Sequence, residues 1–460
     1  MRPFSRLLVL FLLAFVAAAG PLTAADQPAK MRPNILWILG DDLGPDLGCY
    51  GTPLVRTPNL DRLAAEGIRF TRCFTTAPVC SPSRSAWNTG VYQTSIDAQN
   101  HRSHRGDGYH LPEGVKLISQ RFHEAGYFTA NVTTAAPGVR ASGKTDFNFQ
   151  AEKPFDGTDW SQRAPGQPFY AQINFMEPHR GPAWPAARKQ TELTDPAQVK
   201  LPPYYPDHPV ARDDWANYLD AVHLLDTKVG AVLQRLEREG LAQNTIVLFF
   251  GDNGRCHVRD KQWLYEGGLH VPLIVRWPQG EVRPGKVETG MVSAIDIPAT
   301  SLVLAGLDVP KGFDGQPVLG PGAKTRTEIF GARDRCDETV DRIRSVRTDR
   351  YKLIRNYYPD RPYTQANAYK EKQYPVLNLM KQLHAEGKLT PAQELFMAPR
   401  RPGEELYDLQ TDPNEIHNLA AAPSHRAALK DLRARLDRWI AATHDRGAIP
   451  EDPAVIEKQK

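Results

Sequence analysis

The chain has 460 residues and a formal net charge of +4, with 41% hydrophobic and 24% charged residues. That length buries one large core, or one large core with a smaller companion. A charge so near balance gives no case for a nucleic-acid partner, and five cysteines are too few for a disulfide scaffold. The 39 prolines point to many loops.

The first residues read as an address rather than as fold. Met1 to Arg6 is a short basic stretch, and Leu7 to Ala19 is apolar but too short to span a bilayer comfortably. Thr23-Ala24-Ala25 offers a small-residue cleavage site, so a signal peptide over residues 1–25 is expected, with an uncleaved anchor as the alternative. Nothing further along is long and apolar enough to cross a membrane. The expectation is an exported protein, periplasmic or secreted, with no stable membrane insertion after cleavage. In such a compartment the odd number among Cys49, Cys73, Cys80, Cys256 and Cys336 leaves at least one thiol unpaired or modified. Their spacings match no zinc site.

After a polar linker, Asn34 to Leu39 is an apolar run of strand length closed by Gly40-Asp41-Asp42. A continuous apolar run fits a strand buried on both faces, and α/β sheets place ligands at such strand ends. Gly-Asp-Asp is equally good turn chemistry. Thr57 to Gly67 reads as a helix with Thr57 as cap and Pro58 in its first position. Ile68 to Thr75 leads into Cys80-Ser81-Pro82-Ser83-Arg84, where Pro82 suits a first helical turn and Gly90 can end it. Cys80 would then lie at a helix N-terminus, which favours an anion. A buried inert cysteine is the plainer reading.

His101-Arg102-Ser103-His104-Arg105 is a basic loop that can bind a sulfated or carboxylated sugar, or simply be solvated. Val115 to Ala125 is helical in pattern, Tyr127 to Val132 a strand, and Lys144 follows Gly143 in the next loop. Pro168 to Met176 is another apolar run, ending in Glu177-Pro178-His179-Arg180, where His179 suits proton transfer. A proline-rich stretch over 181–209 has the length of a lid. Asp213 to Glu239 carries a core stripe of Leu219, Val222, Leu225, Val229, Val232 and Leu236 at helical spacing. Thr245 to Phe250 then repeats the opening pattern, an apolar run closed by Gly251-Asp252-Asn253. If both runs share a parallel sheet, Asp41, Asp42, Asp252 and Asn253 converge with Cys80, an all-oxygen set suited to calcium or magnesium. Lys261 lies nine positions after Asp252, and Val271 to Trp277 is a further strand. Beyond about residue 320 come short strands over 327–333, 342–348 and 351–356 and a helix over 427–442, a small α+β subdomain. Its loop from Arg355 to Tyr363 reads as a sugar-cleft wall or a surface hairpin.

Cys80-Ser81-Pro82-Ser83-Arg84, the two Gly-Asp pairs and Glu405-Leu406-Tyr407-Asp408-Leu409 together resemble the type I sulfatases of the alkaline phosphatase superfamily. The likeness covers nearly the whole chain after the leader. It is nearest the heparan N-sulfatase (sulfamidase) type and its bacterial polysaccharide-sulfatase relatives, through Pro178-His179-Arg180, the Asp252-to-Lys261 spacing and Arg344-Ser345-Val346-Arg347. The resemblance implies an α/β fold with a mostly parallel central sheet flanked by helices, catalytic over 26–320, and a C-terminal subdomain over 321–460 with a short antiparallel sheet.

It also implies a sulfuric ester hydrolase acting on the O-sulfate or N-sulfate of a sulfated oligosaccharide or polysaccharide. Cys80 would be oxidised to formylglycine by a maturation enzyme. Asp41, Asp42, Asp252, Asn253 and residue 80 would hold one calcium. Arg84 would support the aldehyde, Lys144 and Lys261 would bind sulfate, and His179 would protonate the leaving atom. His101, His104, Arg105 and Arg180 would contact substrate. Asp146 stands where many members carry a histidine two residues after the lysine, which leaves the base unassigned between a carboxylate and another histidine. His270 stands where an arginine often follows the double glycine. Two other readings fit the same scaffold: a phosphodiesterase or phosphonate monoester hydrolase, and a glycan-binding protein without turnover.

Overall fold

The structure is a computed structural model, and it describes residues 32–280 and 283–457. The expected signal peptide lies outside those residues. From Pro33 onward the chain forms one structural unit. Its centre is a seven-stranded sheet in the spatial order Phe128–Val132, Phe169–Phe175, Asn34–Gly40, Thr245–Gly251, His270–Arg276, Ile68–Phe74, Lys286–Ser293. His270–Arg276 runs antiparallel to both its neighbours, and the other pairings are parallel. The three apolar runs at 34–40, 169–175 and 245–251 are buried at every position, as strands covered on both faces must be.

One face is covered by the 30-residue helix Pro209–Arg238, whose predicted stripe from Leu219 to Leu236 is all core. On the other face, Trp87 of the helix Cys80–Thr89 packs edge-on against Trp37 and Phe250, at ring separations of 5.6 and 5.4 Å. That helix begins at Cys80 with Pro82 in its first turn. It ends where Gly90 takes φ 72°, a left-handed conformation open to glycine at no steric cost. Thr57 stands at its helix's cap position, but its hydroxyl donates to the Asp61 carboxylate at 3.0 Å and accepts the Gly48 N–H at 2.8 Å, so it caps no N–H of its own helix.

A second, antiparallel sheet runs in the order Ile329–Arg333, Ile343–Arg347, Tyr351–Asn356, Glu404–Asp408. The helix Arg426–Ala442 packs on it through Leu429, Leu432, Leu436 and Trp439. Two expectations change. The stretch at 181–209 is packed structure rather than a loose lid: Trp184, Ala187, Val199, Tyr204 and Tyr205 are buried, and the Trp184 indole N–H donates to Pro178 O at 2.9 Å. The loop from Arg355 to Tyr363 is no free surface hairpin at its ends, and Tyr363 lines a cavity of about 390 Å³ with Arg259, Arg400 and Arg401. Arg355 is tied to Glu404 and Asp437, and Tyr363 is buried against Trp263 and Phe396. Among the described residues no helix is long and apolar enough to cross a membrane.

Candidate active site

Strand register builds the site. Gly40 is level with both Gly251 and Phe175, so the residues that follow all three strands emerge side by side. The backbone N–H of Asp252 donates to Gly40 O at 3.2 Å, and that of Asp41 to Glu177 O at 3.1 Å. Asp42 takes φ 63°, uncommon for a residue with a Cβ and of the kind held at functional sites. Asp252 Oδ1 accepts the backbone N–H groups of Asp42 and Asn253, both at 2.8 Å. The mirrored Gly-Asp pairs of the sequence thus meet.

The carboxylates are matched by cations. Asp41 Oδ2 lies 2.7 Å from Lys144 Nζ and 3.4 Å from Arg84 Nη2. Asp42 Oδ2 lies 2.7 Å from Lys261 Nζ, and Asp252 Oδ2 accepts Arg84 Nε at 2.8 Å. Arg84 also donates to Asn174 Oδ1 at 2.7 Å and is fully buried. Burial alone would raise the Asp41 carboxyl, but Lys144, His179 and Arg84 hold it well below the usual range. Burial and the neighbouring Asp41 charge push Asp252 the other way, upward.

Within the set Asp41, Asp42, Asp252 and Asn253, two buried oxygens have no donor, Asp41 Oδ1 and Asn253 Oδ1. A buried carboxylate or amide oxygen without a donor is costly, and a hard cation is the partner such oxygens suit. Asp41, Asp42 and His179 each offer a ligand atom, and these atoms lie within 4.8 Å of one another. The donor set therefore fits a divalent metal.

Cys80 is 1% exposed at the start of its helix, within electrostatic reach of Lys144, Asp146 and Lys261. Burial pushes its thiol up to about 12, so at neutral pH it is a protonated, poor nucleophile. Its Sγ lies 3.5 Å from His101 Nε2, and His101 Nδ1 lies 3.0 Å from Asp337 Oδ1. His179 Nδ1 is 2.7 Å from Arg180 O, which leaves Nε2 to face Lys261 Nζ at 3.2 Å.

The remaining expected residues sit differently. Arg180 has no donor to spare for a substrate: it forms a two-pronged pair with Asp214 at 2.5 and 2.7 Å, bonds Cys256 O and Gln373 O, and lies between the rings of Trp184 and Tyr374. His104 spends both ring nitrogens on Asp107 and Asp97 O and stacks on Tyr109. Arg105 is paired with Asp146 yet stays about half exposed. His270 stacks on Phe74 and bonds Thr71 O, a packing role. All five cysteines are free.

Asp337 was not singled out from the sequence. The available signal was the pattern already used elsewhere, since Asp334 to Asp337 is a polar cluster closing the strand Ile329–Arg333. Lys370 was missed as well. Buried behind the site, its Nζ donates to Val258 O at 3.1 Å and Lys261 O at 2.9 Å. Burial, then Arg333, lowers its pKa from 10.5 to about 7. A lysine depressed on folding binds fewer protons than the unfolded chain between pH 7 and 10.5, so stability rises with pH across that window. Lys370→Met is expected to lack this rise, by on the order of 4 kcal/mol between pH 6.5 and 10. Urea unfolding of both proteins at the two pH values measures it, and parallel pH profiles would refute it.

Comparison with known proteins gives the family. The family model described as Sulfatase matches residues 33–307, and the model for the C-terminal region of N-sulphoglucosamine sulphohydrolase matches residues 254–376. The chain belongs to the sulfatase family and is a sulfuric ester hydrolase. It is similar to an ulvan-active sulfatase of Formosa agariphila, 33% identical over 94% of this chain and 78% of that one. It is also similar to human N-sulphoglucosamine sulphohydrolase, 26% identical over 93% and 94%. A structure solved with its substrate D-glucosamine-2-N,6-O-disulfate shares the fold at TM-score 0.63 and 18% identity, covering 90% of this chain and 98% of that one. The mostly parallel central sheet flanked by helices, with a separate antiparallel sheet, is the fold expected from the sequence and shared with these neighbours.

Proposed function

We propose that this enzyme is exported and removes sulfate from a sulfated carbohydrate, with formylglycine at position 80 and one calcium. The observation that carries the reading is Cys80 itself. It is buried, its thiol is held protonated, and it lies among Lys144, Lys261 and the Asp41–Asp42–Asp252 cluster. Sulfur chemistry is suppressed at a position surrounded by anion-binding groups, which suits a residue whose working atom is not the sulfur.

Calcium held by Asp41, Asp42, Asp252, Asn253 and residue 80 would supply positive charge against the sulfuryl oxygens. Formylglycine, hydrated, would supply two hydroxyl oxygens on one carbon. Lys144 and Lys261 bind and orient the sulfate as point charges. Arg84, bonded to Asp252, Asn174 and Lys144 O, fixes the cluster's geometry. His179 Nε2, with Lys261 Nζ at 3.2 Å to resupply a proton, serves the departing sugar atom. Arg105 is the exposed cation available to the rest of an anionic sugar chain.

The test is the mass of the peptide carrying residue 80 from natively matured protein, together with hydrolysis of paired aryl sulfate and aryl phosphate esters. An aldehyde or its hydrate with sulfate turnover is the expected result. An unmodified thiol without sulfate turnover would remove the mechanism, and preferred phosphate ester cleavage would move the enzyme to the phosphodiesterase or phosphonate hydrolase class.

A further inference from the structure

We infer that His101, oriented by Asp337 from the C-terminal sheet region, is the proton acceptor for residue 80 during sulfate release. The inference rests on the sulfatase reading and assigns a residue within that site.

Geometry carries it. His101 is 5% exposed, and its Nε2 is the side-chain atom recorded in hydrogen-bond range of the residue 80 side chain, at 3.5 Å from Sγ. The other ring nitrogen meets Asp337 Oδ1 at 3.0 Å. An ionised carboxylate only accepts, so Nδ1 carries the proton and Nε2 presents its lone pair to residue 80. Asp337 is itself held, since Oδ2 accepts Gln262 Nε2 and Asn367 Nδ2, both at 3.3 Å. The loop is anchored from both sides. His101 N donates to Arg335 O at 2.8 Å, and Arg102 N donates to Ser81 Oγ at 2.8 Å. A nucleophile, a histidine and an orienting carboxylate from three separate stretches are thereby placed in line.

Asp146 is the rival base, and its surroundings argue against it. It is paired with Arg105 and lies 3.6 Å from Lys144 Nζ, so its charge is already spent on cations. In the step assigned to His101, Nε2 takes the proton from the free hydroxyl of residue 80. The electron pair left on that oxygen closes the carbonyl as the C–O bond to the departing sulfate breaks. Water adding across the carbonyl restores both hydroxyls, and the proton on Nε2 passes to solvent.

The test compares His101→Ala, His101→Gln, Asp337→Asn and Asp146→Asn in matured protein, each normalised to its aldehyde content by peptide mass. Wild-type aldehyde and turnover, measured first, test the functional reading, and the variants test this inference. Both His101 variants are expected to lose about 100-fold in kcat, with KM changed only a few-fold. Each should also retain the mass of a sulfo group on the residue 80 peptide after exposure to an aryl sulfate. Asp337→Asn, which offers an N–H to Nδ1 and so favours the wrong tautomer, should retain that mass too. Asp146→Asn is expected to release sulfate cleanly, whatever its effect on turnover through Lys144. Normal kcat without retained mass in His101→Gln, or retained mass in Asp146→Asn alone, overturns the assignment.

Discussion

Cys80→Ala is expected to abolish sulfate ester hydrolysis, by roughly 10⁴-fold or more in kcat/KM, while leaving the fold intact. The two halves of that statement have separate causes. Only Sγ is removed from a small buried cluster with Val79 and Cys336, so the cavity cost is about 1 kcal/mol. Alanine is also a good helix former at the head of Cys80–Thr89. The hydrolytic loss is large because no other group stands at that point. Lys144 and Lys261 would still attract an anion, so affinity for the sulfated substrate should survive. Initial rates on an aryl sulfate, binding of the uncleaved sulfate ester by calorimetry and a thermal melt check the three parts. Turnover within tenfold of wild type would place the nucleophile elsewhere.

Arg180→Ala is expected to produce the opposite pattern, a large loss of stability from a residue that touches no substrate. The Arg180–Asp214 pair is about 95% buried on both sides. Burial alone would raise the Asp214 carboxyl, and Arg180 holds it down at about 2. Deleting the guanidinium leaves a buried charge facing His257, itself stacked on Trp215, without its main partner. Losing one partner of such a pair costs about 3–5 kcal/mol. The midpoint of urea unfolding at pH 7 should fall accordingly, and the double variant Arg180→Met, Asp214→Leu should recover much of the loss. A depressed carboxylate contributes stability above pH 4 that fades as pH falls toward 2, so the wild type's advantage should shrink on acidification. An Arg180→Ala protein with unchanged stability but raised KM would restore Arg180 as a substrate contact.

The site was legible where local pattern and sheet geometry coincide. Gly40-Asp41-Asp42 and Gly251-Asp252-Asn253 each close an apolar run, and two parallel strands in register leave their ends no choice but to meet. The same logic placed His179 after Phe169–Phe175. It did not find Lys286–Ser293, whose first residues are mostly polar, with Lys286, Val287 and Thr289 exposed, as an edge strand allows. Nor did it reveal what Arg180 does. A basic residue beside a catalytic histidine looks the same in sequence whether it faces a sugar or a carboxylate 34 positions away. The His101–Asp337 contact spans 236 positions and joins two loops, where no periodicity constrains direction. The lid expected at 181–209 failed for a related reason. Its prolines signalled loop, while Trp184, Tyr204 and Tyr205 carried the packing.

The burial of Cys80 has a consequence for how the protein is made. A residue 1% exposed, at the head of a helix locked to the sheet by Trp87, offers no handle to a second enzyme once the core has closed. Any enzyme that oxidises it must arrive while that segment is still open. Cys336, which packs against it, is encoded far downstream, and a chain elongating at about 5–20 residues per second needs on the order of tens of seconds to reach it. Native topology would thus set a deadline on the proposed oxidation of Cys80. On that proposal, a mutation that merely hastened closure of the helix Cys80–Thr89 would yield a stable, well-folded and inert protein.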